Sequence, residues 1–153
     1  MTEAELALRV GVATLCGVVI GYERARDGKT IGMRTLGLVG LASGLLVAVV
    51  IQAGASLDTS GRVIQGLLAG VGFLGAGAIL HTPQADHPRG LTTAAAVWIT
   101  SILGTVAGLG HLGGALAGTA LAYLLLALGP HVDSAVHRQG DRARDDQPRD
   151  RGH

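Results

Sequence analysis

The sequence predicts an all-α fold, a polytopic transmembrane helix bundle of about five spans with its N-terminus outside and its C-terminus cytoplasmic. Three observations predict it. Only 15% of the 153 residues are charged, where a soluble domain carries about 25%. The charges are clustered, leaving long uncharged apolar stretches. Glycine is abundant (25 residues) and aromatic residues make up only 3%, a composition that suits helices packed backbone to backbone in lipid.

Five segments have the length of a span, about 20 mostly apolar residues: Ala4–Tyr22, Thr35–Gly54, Val63–Leu80, Leu91–Gly108 and Leu112–Gly129. The first carries Glu5 and Arg9. Four residues apart, they can pair on one helix face, and Arg9 can also reach the interface. A four-span arrangement, with this segment lying on the surface, is the alternative. Met1–Leu8 carries acids and no basic residue before Arg9, unlike a cleaved signal peptide, so the segment reads as a retained span. The other four segments contain no Asp, Glu, Lys, Arg or His.

The connectors set the orientation. Arg24, Arg26, Lys29 and Arg34 lie between the first two spans, and Arg89 lies before the fourth. The segment from Pro130 adds Arg138, Arg142, Arg144, Arg149 and Arg151. With five spans these share one side, against Arg9 and Arg62 on the other, and the positive-inside rule makes the richer side cytoplasmic. Residues 1–129 are thus expected to form the transmembrane domain. Residues 130–153, with Asp and Arg in balance, are expected to form a disordered charged cytoplasmic tail.

Several functions are disfavoured. A net charge of +1 gives no basic field for nucleic acid. Cys16 is the one cysteine, so no disulfide can form within a chain. Gly70–Gly75 reads G-x-G-x-x-G but lies inside an apolar run, with no strand before it and no βαβ unit around it. Asp27–Thr30 ends like a phosphate-binding loop, yet the required first glycine is Glu23. No nucleophile–base pair or Cys/His metal cluster is visible, and an enzyme is not expected. The spans also lack midplane ionisable residues of the kind ion-coupled carriers use. Gln52, Gln65, Thr100, Ser101 and Thr105 are the polar groups of note.

Glycines four apart recur at Gly17/Gly21, Gly40/Gly44, Gly66/Gly70, Gly104/Gly108 and Gly114/Gly118. In the third span Gly66, Gly70 and Gly77 share one face, while Gly72 and Gly75 lie on roughly the opposite one. A helix thin on two sides is expected at the centre of the bundle or at a subunit contact. A backbone-lined pathway is the other reading.

The cytoplasmic edge holds the candidate site. "GYERARDGKTIGMRT" spans Gly21–Thr35 and "PRGLTT" spans Pro88–Thr93. Thr35 and Thr92 or Thr93 are candidate N-caps for two helices whose starts would favour an anion. Glu23 can bridge Arg34 and Arg89, or one arginine and a cation, and is the sole metal candidate. The plainer reading has these arginines paired with lipid phosphates. His81 and His87 read as solvated.

Taken in order, "GYERARDGKTIGMRT", "RVIQGLLAGVGFLGAGAIL" and "RGLTTAAAVW" resemble the membrane domain of the MgtC/SapB family, over about residues 5 to 128. The resemblance implies a bacterial inner-membrane protein linked to growth in low magnesium and, in some pathogens, to survival inside host cells. It also implies a regulator that binds other membrane machinery, including the ATP synthase. Matching motif positions are Glu23, Arg24, Gly32, Arg34, Thr35, Gly72, Gly75, Gly77, Arg89, Gly90, Thr92 and Thr93. Some relatives have Asn where this chain has Thr92. Several add a soluble ACT-type domain after the last span, so this chain is expected to be the short, SapB-like form.

The leading expectation is a self-associating homo-oligomer that modulates magnesium homeostasis or stress physiology through contacts with other membrane proteins and lipid. No cofactor is expected, although Mg2+ is possible. The alternative is a small oligomeric magnesium or cation transporter or channel.

Overall fold

The computed structural model describes residues 1–79 and 90–145, with side chains described through residue 129. All regular structure among them is helical: α1 (Glu3–Arg26), α2 (Met33–Gln52), α3 (Leu57–Ile79), α4 (Leu91–Gly108) and α5 (Leu112–Asp145). Each is long and apolar enough to cross a membrane.

The helix ends follow from local chemistry. α1, α2 and α4 stop the same way, at Gly28, Gly54 and Gly110, all with positive φ. In α1 the Lys29 N–H donates to the Arg24 carbonyl and the Gly28 N–H to the Ala25 carbonyl. This double closure satisfies two end carbonyls and needs a left-handed residue, which glycine adopts at least cost. α3 starts six residues earlier than the apolar run suggests. Ser56 caps it, its Oγ accepting from the Thr59 N–H at 3.2 Å, and Asp58 pairs with Arg62 at 2.9 Å one turn on. The two charged side chains are exposed, so a polar first turn can precede the apolar segment.

α1, α2 and α4 form the core of the bundle, with α3 against α4 on one flank and α5 against α1 and α4 on another. Ala13, Cys16, Ile20, Leu36, Val97 and Ala107 are buried where they meet. These are small or medium side chains because the backbones come close. A Cβ on Gly104 would sit 2.7 Å from the Gly40 carbonyl, and one on Gly108 2.6 Å from the Gly44 carbonyl. Gly17 and Gly40 likewise face the Leu36 and Ala13 carbonyls. Three of the five glycine pairs therefore do what the spacing predicts.

Two expectations are corrected. The third span is not central. Only 11% of the α3 span is buried, against 56% for α4. A methyl group on Gly66, Gly70, Gly72 or Gly77 would meet nothing within 4 Å, and one on Gly75 would touch only Ala94. A glycine strip permits close approach but does not choose the neighbour, and in this bundle α4 takes the centre. The second correction concerns the segment after Gly129. α5 continues to Asp145, where disorder is expected from residue 130. Extending an existing helix costs far less than starting one. Residues 146–153 lie outside the described residues.

Candidate functional site

The end of α1 and the starts of α2 and α4 meet at one edge of the bundle. Gly21 lets α1 approach the start of α2, since a Cβ there would lie 2.6 Å from the Met33 Cα. At the start of α4, Gly90 has φ 101° and packs against the Ala78 carbonyl, 2.5 Å from where its Cβ would be. Handedness and contact both require glycine. The end of α3 is thereby held against the start of α4.

Glu23 and Arg24 are each only 3% exposed. Arg24 Nη1 lies 3.6 Å from Glu23 Oε2, and Arg24 Nη2 donates to Thr93 Oγ1 at 3.2 Å. The ion pair of α1 is thus closed over by α4. Among the described residues, neither Glu23 oxygen nor Arg24 Nε has a hydrogen-bond partner. Such a pair is costly to assemble and more costly to break, because removing one partner strands the other charge.

The sequence expectations divide at this edge. Glu23, Arg24, Gly90 and Thr93 are brought together. Arg34, Thr35 and Thr92 are exposed and do not join Glu23, whose ionic partner is Arg24 instead of Arg34. Adjacent residues at a helix end can both turn toward a neighbouring helix, whereas Arg34 starts a different helix on its outer side. Arg89, the other proposed partner, lies outside the described residues, as do His81 and His87. The expected N-caps are also corrected. Gly32 and Gly90 occupy those positions without side-chain bonds, and at Gly90 the positive φ and the Ala78 carbonyl exclude a side chain. Thr93 is released from capping and accepts from Arg24.

A second α1 arginine escaped the sequence reading as a functional contact. Arg9 pairs with Glu5 as expected, but its Nη1 donates to the Gly108 carbonyl at 3.0 Å. It caps the end of α4, where unpaired carbonyls favour a cation. Arg9 and Arg24 are fifteen residues apart in α1, and Thr93 and Gly108 are fifteen apart in α4. Two antiparallel helices rising ~1.5 Å per residue therefore meet these arginines in register, one at each end. The equal spacing was the available signal.

The donor set does not suit a resident Mg2+. That ion needs several oxygen ligands in near-octahedral array, and no three acidic, His or Cys side chains converge among the described residues. Glu23 is already paired with a cation.

Residues 10–135 match the MgtC family model. The chain belongs to the MgtC family. Among its relatives, SrpB of Synechococcus elongatus is 46% identical over 133 residues, covering 80% of this chain and 73% of that protein. An uncharacterized protein of Haemophilus influenzae is 35% identical over 141 residues, covering 87% of this chain and 59% of its own length. MgtC of Salmonella typhimurium is 38% identical over 112 residues, covering 73% and 47% respectively. SapB of Bacillus subtilis is 33% identical over 133 residues, covering 82% and 56%. Apart from SrpB, the chain spans about half the length of these relatives. No solved structure matches. Family and fold together make this a multi-pass membrane protein of the MgtC type.

Proposed function

We propose that this MgtC-family protein is a non-enzymatic regulator of the bacterial inner membrane. It modulates magnesium homeostasis or stress physiology by contacting other membrane proteins at the edge where α1 ends and α2 and α4 begin. The positive-charge bias of that edge supports a cytoplasmic position for it, with the N-terminus outside. One observation carries the reading, the division of the motif into a buried and an exposed set. Glu23, Arg24 and Thr93 lock α1 to α4, while Arg34, Thr35 and Thr92 stand exposed on that frame. A rigid frame presenting polar side chains is suited to recognition. The hydroxyls within the bundle are largely engaged, Ser43 with Ser101 at 3.0 Å and Thr100 with the Ala96 carbonyl at 2.7 Å, which favours helix adhesion over an ion path.

The test is rescue of a deletion strain in low magnesium by a variant carrying Arg34→Ala, Thr35→Ala and Thr92→Ala together. The variant is expected to insert and fold at wild-type level, to lose rescue, and to lose the membrane proteins that co-purify with wild type. Full rescue would reduce the edge to a topology signal. In parallel, dye-loaded proteoliposomes are expected to show no magnesium flux above empty vesicles. Saturable flux lost in Glu23→Gln would establish a transporter instead. ATP or GTP hydrolysis by the pure protein would overturn the non-enzymatic assignment.

A further inference from the structure

One strip of the exposed surface of α3 is poor in the bulk expected toward lipid, with half-exposed Leu74 lying outside it. Gln65, Ala69, Gly72, Phe73 and Ala76 are all exposed and fall within about 100° of arc at 100° per residue. Gln65 lies about 3 Å along the helix past Val63, where the apolar segment begins, at ~1.5 Å per residue. Its amide therefore sits at the edge of the apolar span, three residues past the exposed Arg62. Phe73 is the one large projection of the strip and is 81% exposed.

Beside this strip, between α3 and α4, runs an apolar groove of ≈ 380 Å³ lined in part by Gly72, Gly75, Ala76, Ala94, Ala95 and Trp98. Trp98 is half-exposed at the groove. Phe73 lies at the level of the groove, among the α3 residues Val71 to Ile79 that line it. On the helix wheel the ring and the groove fall on opposite flanks of Ala69 and Ala76.

We propose that this face binds a second copy of the chain, with Phe73 of each copy seated in the α3–α4 groove of the other, beside Trp98. A two-fold axis along the membrane normal keeps every residue at its own depth and turns the ring flank of one α3 toward the groove flank of the other. Ring and groove then meet twice, as a self-complementary interface requires. The same axis brings Gln65 near its own counterpart, and a primary amide, both donor and acceptor, is its own hydrogen-bonding complement. Small residues between these contacts allow the two helices to approach, and the two rings can pack edge to face. The assignment needs only the membrane placement and is independent of what contacts Arg34 and Thr92.

Cys16 is the chain's one cysteine and is buried, so Cys16→Ala supplies a background for cross-linking. Two differently tagged copies, one with Phe73→Cys and the other with Ala95→Cys, are co-expressed and oxidised in native membranes. A disulfide-linked heterodimer is expected. No such product is expected when the second copy carries Leu125→Cys, on the outer face of α5. Adding Ala76→Leu to both copies, which fills the groove, is expected to abolish the cross-link while leaving each monomer inserted and folded. A cross-link to Leu125→Cys as strong as to Ala95→Cys overturns the proposal. So does persistence after Ala76→Leu, or absence of any Phe73→Cys product with the face left to lipid or another protein.

Discussion

α3 and α4 carry the same glycine spacing and occupy opposite environments. Gly104 and Gly108 of α4 lie against the backbone of α2, close enough that a methyl group would strike the Gly40 and Gly44 carbonyls. Gly66 and Gly70 of α3, equally spaced, face nothing within 4 Å. α4 is also pinned at both ends by arginines of α1, Arg24 at Thr93 and Arg9 at the Gly108 carbonyl. No described side-chain hydrogen bond ties α3 to another helix. The difference teaches that a small-residue strip is permission for contact, and that topology decides whether the permission is used within the chain. α5 completes the contrast, since its outer face carries Leu121, Leu124, Leu125 and Leu128, the bulk expected toward lipid.

Three substitutions bear on that comparison. Gly108→Leu should have the largest effect, because the clash is with α2 backbone and cannot be relieved by a rotamer. Its cost is expected at or above the top of the ~1–3 kcal/mol range for overpacking, read as loss of folded protein in detergent extracts. Retention of wild-type thermal stability would undo the placement of α4 at the centre. Arg9→Ala comes next. It removes a charge-assisted bond to a helix C-terminus, worth about 1–2 kcal/mol, and should lower the thermal midpoint, with Arg9→Lys retaining part of it. An unchanged midpoint would mean that α4 is not held at that end. Gly70→Leu should have the smallest effect on the monomer, within about 0.5 kcal/mol, with the gain in helix propensity tending to stabilise. A large loss would show that α3 has a neighbour inside the chain.

Much of the fold was legible because the signals are local. Eight of the ten helix limits lie within four residues of those read from hydropathy, and the Asp27–Gly28 and Leu109–Gly110 steps mark helix ends by residue type. The start of α3 was less legible, since Ser56 caps a polar turn that hydropathy assigns to a connector. At the candidate site Glu23, Arg24 and Thr93 were identifiable as motif positions, but the pairing of Arg24 with Thr93 was not. The two are 69 residues apart in sequence, and the partners the sequence offered for Glu23 were Arg34 and Arg89. Thr92 looked like a cap because the contact that fixes Gly90 comes from the end of α3, and Thr35 because α2 starts two residues before its apolar run.

The sequence by itself determined that five segments can cross a membrane and where three of them stop. Partition into lipid is close to a sum over consecutive residues, and a helix end is settled by the few residues around it. Only the tertiary structure decided which glycine strips are filled, which arginine meets Glu23, and that α4 is central while α3 lies at the flank. Those outcomes depend on which helices become neighbours, and similar glycine spacings in several helices leave that choice to the packing of the whole bundle.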